Sequence, residues 1–258
     1  MKVSILQHLI RQDSLEWNFH HLSSLLDEQP GNDLYVLAET FATGFLSEGS
    51  AQNAGVQGRQ VFDWMKQQAA RLDAAIAGSV ATIDDKGRLR NRLFFVRPDG
   101  TFDYYDKHHL FSYAGETKDY VAGERRVVVE WRGVRLLLQV CYDLRFPVFS
   151  RNHGDYDAII YVANWPKNRR EVWQTLLKAR ALENQCFVIG VNIVGSDKVC
   201  EYVGDSVIID AYGQIIAQCT PGEVATASAT LDMERLIRFR QKFPVLEDAD
   251  NLLHNIWT

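Results

Sequence analysis

A chain of 258 residues, of which 47% are hydrophobic, is long enough to bury a substantial core and is near the upper size of a single domain. Its 28 Lys and Arg against 33 Asp and Glu give a net charge of -5, without the basic excess that nucleic-acid binding normally needs. No apolar run reaches the roughly 20 residues of a membrane span, and no signal-peptide core is present. We therefore expect a cytoplasmic protein with no nucleic-acid or membrane partner.

Strands and helices alternate in the first part of the chain. Strands are predicted at 3–9 and 34–38, on either side of a helix at 15–26. A second helix at 57–72 has apolar residues on one face and leads into an apolar run at 74–80. The middle of the chain predicts hairpins, because turn residues separate strand-like runs at 90–97, 101–107, 126–131 and 134–140.

The last third of the chain completes an α/β pattern. It predicts a strand at 157–163, a helix at 170–184, a strand at 186–194, a hairpin formed by 203–210 and 214–218, and a helix at 233–242. This order is typical of one layered α/β domain, here residues 1–242, in which helices cover two sheets. The apolar tail at 243–258 is expected to pack at a subunit interface or to fold back over its own chain.

Three chemically reactive side chains lie at the ends of predicted strands. Glu39 directly follows the strand at 34–38, Lys107 ends a second strand, and Cys141 follows a third. The carboxyl ends of strands line the crevice in which open α/β sheets bind ligands, so these residues are candidates for catalysis. Each also has a structural interpretation: a salt-bridge carboxylate, a surface lysine whose stem packs on aromatic residues, and an inert buried thiol.

The four cysteines, Cys141, Cys186, Cys200 and Cys219, are widely spaced and are expected to be free thiols. For Cys141 we expect backbone N–H dipoles and a neighbouring ammonium to lower the thiol pKa from about 8.5 into the reactive range. His108 and His109 are adjacent on a predicted strand and should point to opposite faces, which predicts no metal site. No H-E-x-x-H or G-x-S-x-G motif is present.

Three segments, taken together, resemble the nitrilase (carbon–nitrogen hydrolase) superfamily. They are LAE ending at Glu39, YDKHHLF around Lys107 and CYDLRFP beginning at Cys141. The segments YVANWP at 161–166 and RALENQ at 180–185 are also similar to that family, so the likeness covers nearly the whole chain. Within the superfamily the chain looks most like the omega-amidases. The resemblance implies a four-layer α-β-β-α sandwich that dimerises, and a second functional glutamate at Glu116, a position that could equally be a solvated loop.

The resemblance also implies a reaction that needs no cofactor and no metal. The Cys141 thiolate attacks an amide carbonyl, and Glu39 transfers the protons. Ammonia departs, and water then hydrolyses the thioester that remains on Cys141. Lys107 and the backbone N–H of Tyr142 stabilise the oxyanion. Glu116 holds Lys107 or the substrate in line.

The implied substrate is a short dicarboxylic monoamide such as 2-oxoglutaramate, whose carboxylate needs a positive partner. Arg145 is the candidate, since residues four apart share a face if a helix begins at Cys141. Pairing of Arg145 with Asp143 or another acid is the alternative. Trp165 and Phe111 are expected either to wall the pocket or to belong to the core.

Other functions remain open on the sequence alone. A nitrilase, an N-carbamoyl amino acid hydrolase and an acyltransferase would all use the same thioester and differ in the pocket or in the acceptor. A catalytically silent scaffold or metabolite-binding protein would keep the apolar pattern and lose one of the three reactive residues. All three residues are present, which favours an enzyme.

Overall fold

The first half of the chain forms a sheet and the helices that flank it. The computed structural model describes residues 1–45 and 51–249, and only the backbone of residues 51 and 52. In chain order the elements are β1 (Lys2–Gln7), α1 (Leu15–Glu28), β2 (Leu34–Val36), α2 (Ala51–Leu72), β3 (Ala75–Ile83), β4 (Leu89–Val96), β5 (Phe102–Asp106) and the single turn α3 (Glu116–Asp119).

The second half of the chain forms the second sheet, a small two-stranded hairpin and one edge strand of the first sheet. Its elements are β6 (Val128–Trp131), β7 (Val134–Val140), the single turn α4 (Pro147–Ser150), β8 (Ala158–Ala163), α5 (Arg170–Glu183), β9 (Phe187–Asn192), β10 (Val194–Ser196), β11 (Glu201–Val203), β12 (Val207–Ile209), β13 (Ile215–Gln218), β14 (Ala225–Thr230) and α6 (Met233–Lys242). A 3₁₀ helix, Cys141–Arg145, directly follows β7.

The described residues form two six-stranded mixed sheets. The first has the order β14-β1-β2-β3-β4-β5, and the second has the order β13-β12-β9-β8-β7-β6. Strands β1, β2 and β3 are mutually parallel, as are β7, β8 and β9, whereas the outer strands of both sheets pair antiparallel. Each sheet therefore has a parallel centre, and the carboxyl ends of those central strands can carry a shared site.

Alternating side chains of the central strands divide the interior into layers. In β7, Leu136 and Leu138 pack in the same cluster as Phe95 of β4, so the two sheets contact face to face. Leu137, between them, points the other way and belongs to a second cluster with Trp173 of α5. Helices α1 and α2 contact each other, and α2 contacts β3 and β4 of the first sheet. The α-β-β-α sandwich predicted from the sequence is confirmed.

Two features of the fold were not predicted. Strand β14 pairs antiparallel with β1 at the edge of the first sheet. Its sequence, ATASAT, is half-buried and lacks the apolar contrast from which a strand can be recognised. The small hairpin of β10 and β11 was also missed, while β12 and β13 confirm the predicted hairpin around 210–214.

Only the first part of the C-terminal tail, residues 243–249, is described. Residues 250–258 lie outside the described residues, so the expected packing of the tail on a partner subunit stays a prediction. Within the described part, Gln185 donates a hydrogen bond to the carbonyl oxygen of Phe243 at 2.8 Å. No helix in residues 1–45 and 51–249 has the length and apolar character needed to cross a membrane.

Candidate active site

Glu39 and Cys141 both lie where the backbone turns sharply after a central strand. Thr40, next to Glu39, has a φ of 40°, and its N–H donates to the Ser79 hydroxyl at 2.8 Å. Cys141 itself has a φ of 47°, a left-handed conformation that is uncommon for a residue with a side chain. Such strained positions concentrate at functional sites, where the surrounding structure holds them. Cys141 therefore lies at a strained turn directly after β7, as a residue at a functional site often does.

A buried ion cluster joins Glu39, Lys107 and Glu116. Lys107 Nζ lies 2.9 Å from Glu39 Oε1, and 3.1 and 2.9 Å from the two carboxylate oxygens of Glu116. Each of the three residues is only 1% exposed. The Glu116 carboxylate also accepts the backbone N–H of Phe111 at 2.5 Å. Glu116 thus lies inside the cluster, and its interpretation as part of a solvated loop is wrong.

The charges in this cluster keep Lys107 protonated. Burial alone lowers the pKa of Lys107, but the carboxylates of Glu39 and Glu116 outweigh it and hold the pKa well above its usual value. Burial and the charge of Glu39 raise the pKa of Glu116, Lys107 lowers it, and the net effect is a raised pKa. Lys107 therefore presents a fixed positive charge, and we assign it no part in proton transfer.

Two asparagines hold Glu39 in place, and the sequence reasoning gave neither of them a role. Asn91 Nδ2 donates to Glu39 Oε1 at 2.7 Å, and the backbone N–H of Asn164 donates to Glu39 Oε2 at 2.9 Å. The Asn164 side chain binds the Thr40 hydroxyl at 3.0 Å. Asn91 shares a strand face with the buried Leu89 and Leu93. A single polar residue on an otherwise apolar strand face was the pattern in the sequence that could have indicated a role for Asn91.

The Cys141 thiol contacts Glu39, and this contact reverses one expectation from the sequence. Burial raises the pKa of Cys141 well above its usual value, and the Glu39 carboxylate, which accepts a hydrogen bond from the thiol, raises it further. The Lys107 ammonium lowers the pKa of Cys141, but by too little to offset these two effects. The expectation of a lowered Cys141 pKa was wrong, because it omitted desolvation and the neighbouring carboxylate. The resting site is a neutral thiol beside a base.

Asp143 connects the turn after β7 to the segment after β5. Its carboxylate accepts the Tyr105 hydroxyl at 2.8 Å and the backbone N–H of Val140 at 2.9 Å. It also accepts the backbone N–H of His109 at 2.9 Å and lies 2.8 Å from His109 Nδ1. These bonds fix Lys107 and Cys141 relative to each other, since each lies within two residues of a bonded group.

The two histidines are placed differently from the prediction. They follow β5 rather than lying on a strand, and the rings of His108 and His109 contact edge to face with centroids 4.5 Å apart. They do not point to opposite faces, because the chain leaves the extended conformation at Lys107. His108 Nδ1 lies 2.6 Å from the Gly123 carbonyl oxygen, while His109 is engaged by Asp143. Both rings therefore have local structural partners.

Arg145 is placed differently from the prediction. Cys141–Arg145 is a 3₁₀ helix, in which residues three apart are aligned, so the argument from a shared α-helical face was wrong. The pairing with Asp143 is also absent, because the Asp143 carboxylate is buried and bound to Tyr105 and His109. The Arg145 guanidinium instead lies 5.3 Å from the ring centroid of Trp165. Among the described residues it has no acidic partner.

Aromatic side chains pack around the turn that carries Cys141. The Tyr142 ring lies 4.9 Å from Phe111 and 5.1 Å from Phe146, and Tyr142 is half-buried. Trp165 is 3% exposed, and its ring is 5.6 Å from Trp173 in the second cluster, so it is chiefly a core residue. Phe111 is more open and, through its N–H, is tied to Glu116. Phe111 and Tyr142 therefore contact each other beside the turn that carries Cys141.

Fold and site define an α/β-sandwich hydrolase, and the comparisons identify its family. The chain belongs to the carbon–nitrogen hydrolase family, whose model matches residues 2–241. It is 48% identical over 254 residues to the omega-amidase YafV of Yersinia enterocolitica, with 98% of both chains covered. It is 34% identical to the 2-oxoglutaramate amidase of Bacillus subtilis, with 84% of both covered.

A solved structure gives the same result for the fold. A CN-hydrolase superfamily protein from Xanthomonas campestris, which has an arsenic adduct in its active site, superimposes with a TM-score of 0.92. It is 41% identical, and the match covers 97% of each chain. A carbon–nitrogen hydrolase from Helicobacter pylori, at 19% identity, shares the fold with a TM-score of 0.88. The sequence-based assignment to this superfamily is confirmed.

Proposed function

We propose that this protein is an omega-amidase that releases ammonia from the terminal amide of a short dicarboxylic monoamide, such as 2-oxoglutaramate. The observation that carries the proposal is the meeting of the Cys141 thiol with the Glu39 carboxylate beside the buried Lys107 ammonium. Relatives named omega-amidase and 2-oxoglutaramate amidase, which align over most of the chain, support this substrate class.

In the proposed reaction Glu39 takes the thiol proton as the Cys141 sulfur attacks the amide carbonyl. Glu39 then delivers that proton to the amide nitrogen, the C–N bond breaks, and ammonia leaves a thioester on Cys141. Next, Glu39 takes a proton from water, whose oxygen attacks the thioester. The C–S bond breaks, the proton returns to sulfur, and the dicarboxylic acid is released. The resting pair of thiol and carboxylate supports this assignment, since the base already contacts the proton it must move.

Lys107 acts in this proposal through its charge. The carbonyl oxygen becomes negative in the tetrahedral intermediate, and the Lys107 ammonium together with the Tyr142 N–H would stabilise it. One such donor typically contributes ~10²–10³ in turnover. The two carboxylates around Lys107 support this role, because they keep it protonated and fix its position. Glu116 is proposed as a positioning residue for Lys107.

A substrate panel with one variant tests the activity and the carboxylate preference together. We expect ammonia release from 2-oxoglutaramate and succinamate, little release from butanamide, and none from butyronitrile. Arg145→Gln should raise KM for succinamate by about tenfold or more, since a charge-assisted hydrogen bond contributes ~1.5–3 kcal/mol. Failure of the wild-type protein on every amide would overturn the amidase proposal.

Alkylation of the four cysteines tests the contact between Glu39 and Cys141. Because Glu39 raises the pKa of Cys141, Glu39→Gln should shift the pH midpoint of iodoacetamide labelling at Cys141 downward while abolishing ammonia release. Peptide mass spectrometry measures each site separately. Cys200 serves as the internal reference, and Cys186 and Cys219, whose pKa burial raises to about 12, should stay unreactive. An unchanged or raised midpoint would contradict the proposed thiol–carboxylate pair.

A further inference from the structure

Arg169 stands out among the cations at the start of α5. Lys167, two residues earlier, lies 2.8 Å from Glu201, and Arg170 lies 2.6 Å from Asp205. Arg169 is half-buried between them and, within residues 1–45 and 51–249, has no acidic partner. No carboxylate of the described residues neutralises this guanidinium, so it is free to bind an anionic ligand.

The Arg169 guanidinium faces the wall of the site. It lies 5.2 Å from the centroid of the Phe111 ring, and that ring is 4.9 Å from Tyr142, the residue after Cys141. The Phe111 N–H is bound to Glu116, which in turn holds Lys107. Stacking on an aromatic ring orients the guanidinium plane without using its N–H donors. Those donors remain available to a ligand.

Arg169 and Arg145 both contact the same buried tryptophan, Trp165. Trp165 Nε1 donates to the Arg169 carbonyl oxygen at 2.8 Å, and the Arg145 guanidinium lies 5.3 Å from the Trp165 ring. Trp165 is itself fixed, because its N–H donates to Asn192 Oδ1 at 2.7 Å. Arg145 through its guanidinium and Arg169 through its backbone carbonyl therefore contact one fixed side chain.

We infer that Arg169 is a second substrate-binding residue, and that with Arg145 it binds the carboxylate at the far end of the amide. This inference rests on the proposed function and deepens it, because it assigns the preference for a carboxylate to a pair of arginines. A guanidinium suits this task, since its planar donors match the two oxygens of a carboxylate. One arginine comes from the turn that carries Cys141 and the other from the turn that leads into α5.

The test compares a charged and a neutral amide of equal chain length. In Arg169→Gln, KM for succinamate should rise about 10- to 100-fold, with kcat for succinamate and kcat/KM for butanamide changed by about twofold or less. Succinate, the product, should show a matching rise in its inhibition constant. Lys167→Gln is the matched control and should leave all of these values unchanged, because that cation is exposed and already paired. Arg169→Lys keeps the charge and should recover part of the affinity for succinamate.

Three results separate the possible failures. If wild-type protein hydrolyses succinamate and Arg169→Gln leaves its KM and the succinate inhibition constant unchanged, the assignment of Arg169 is overturned and the proposed function stands. If Arg169→Gln weakens both substrates equally, Arg169 has a structural role and the inference fails. If wild-type protein hydrolyses butanamide but not succinamate, the proposed substrate class and the inference fail together.

Discussion

Replacing Cys141 with alanine should reduce ammonia release from succinamate and 2-oxoglutaramate by at least about 10⁴-fold, because no other thiol among the described residues contacts Glu39. The fold should be preserved. Alanine places a Cβ at the same backbone position, whose φ of 47° is equally demanding for both residues, so the strain there is unchanged. An ammonia assay and a thermal unfolding curve measure the two effects separately.

The thioester can be detected directly. Wild-type protein quenched in acid during turnover should carry the mass of one acyl group, on the peptide that contains Cys141. Cys141→Ala should carry none. Cys200→Ala is the matched control, since Cys200 is also a half-buried free thiol, and it should retain full activity and the acyl adduct. Residual activity above about 1% in Cys141→Ala would show that another group can supply the attack.

Lys107→Met should be both inactive and unstable. Methionine keeps the length of the apolar stem but removes the cation that lies within 3.1 Å of the carboxylates of Glu39 and Glu116. Breaking a buried ion pair by removing one partner typically costs ~3–5 kcal/mol, because the remaining charge is left without compensation. Urea unfolding should show a loss of that size, whereas Lys86→Met, at an exposed lysine, should have little effect.

The free energy of unfolding that Lys107→Met loses should be larger at high pH than at low pH, because the remaining buried carboxylates are then ionised. Burial and the charge of Glu39 raise the pKa of Glu116, and removal of Lys107 takes away the group that lowers it. A carboxyl with a raised folded-state pKa favours the folded state below that pKa and loses the benefit as pH rises through it. The variant should therefore be closer to wild-type stability at pH 5 than at pH 8.

A second substitution separates stability from activity. Lys107→Met combined with Glu116→Gln removes one of the two unpaired charges, so it should recover part of the lost unfolding free energy. It should not recover turnover, because the positive charge at the oxyanion is still missing. Equal stability of the single and double variants would contradict the view that two buried carboxylates compete for one ammonium.

The sequence by itself determined the layered fold and the order of the reactive residues. Apolar runs such as Val134–Val140 are local patterns, and their periodicity survives in any tertiary context, so the central strands were found correctly. Glu39 and Cys141 could be named because each directly follows an apolar strand, and Lys107 because it ends a strand-like run. Strand β14 was missed for the same physical reason, since alternating alanine, serine and threonine give no hydrophobic contrast.

Only the tertiary structure decided how those residues are coupled. Asn91 and Asn164 bind Glu39 from two different sheets, and a hydrogen bond across more than 50 residues has no local pattern in the chain. The raised pKa of Cys141 depends on burial and on a carboxylate 102 positions away in the sequence. Arg169 was not considered at all from the sequence, because its lack of an acidic partner becomes visible only when its neighbours in space are known. Propensity and periodicity act between residues near in sequence, whereas charge and desolvation act through distance in space.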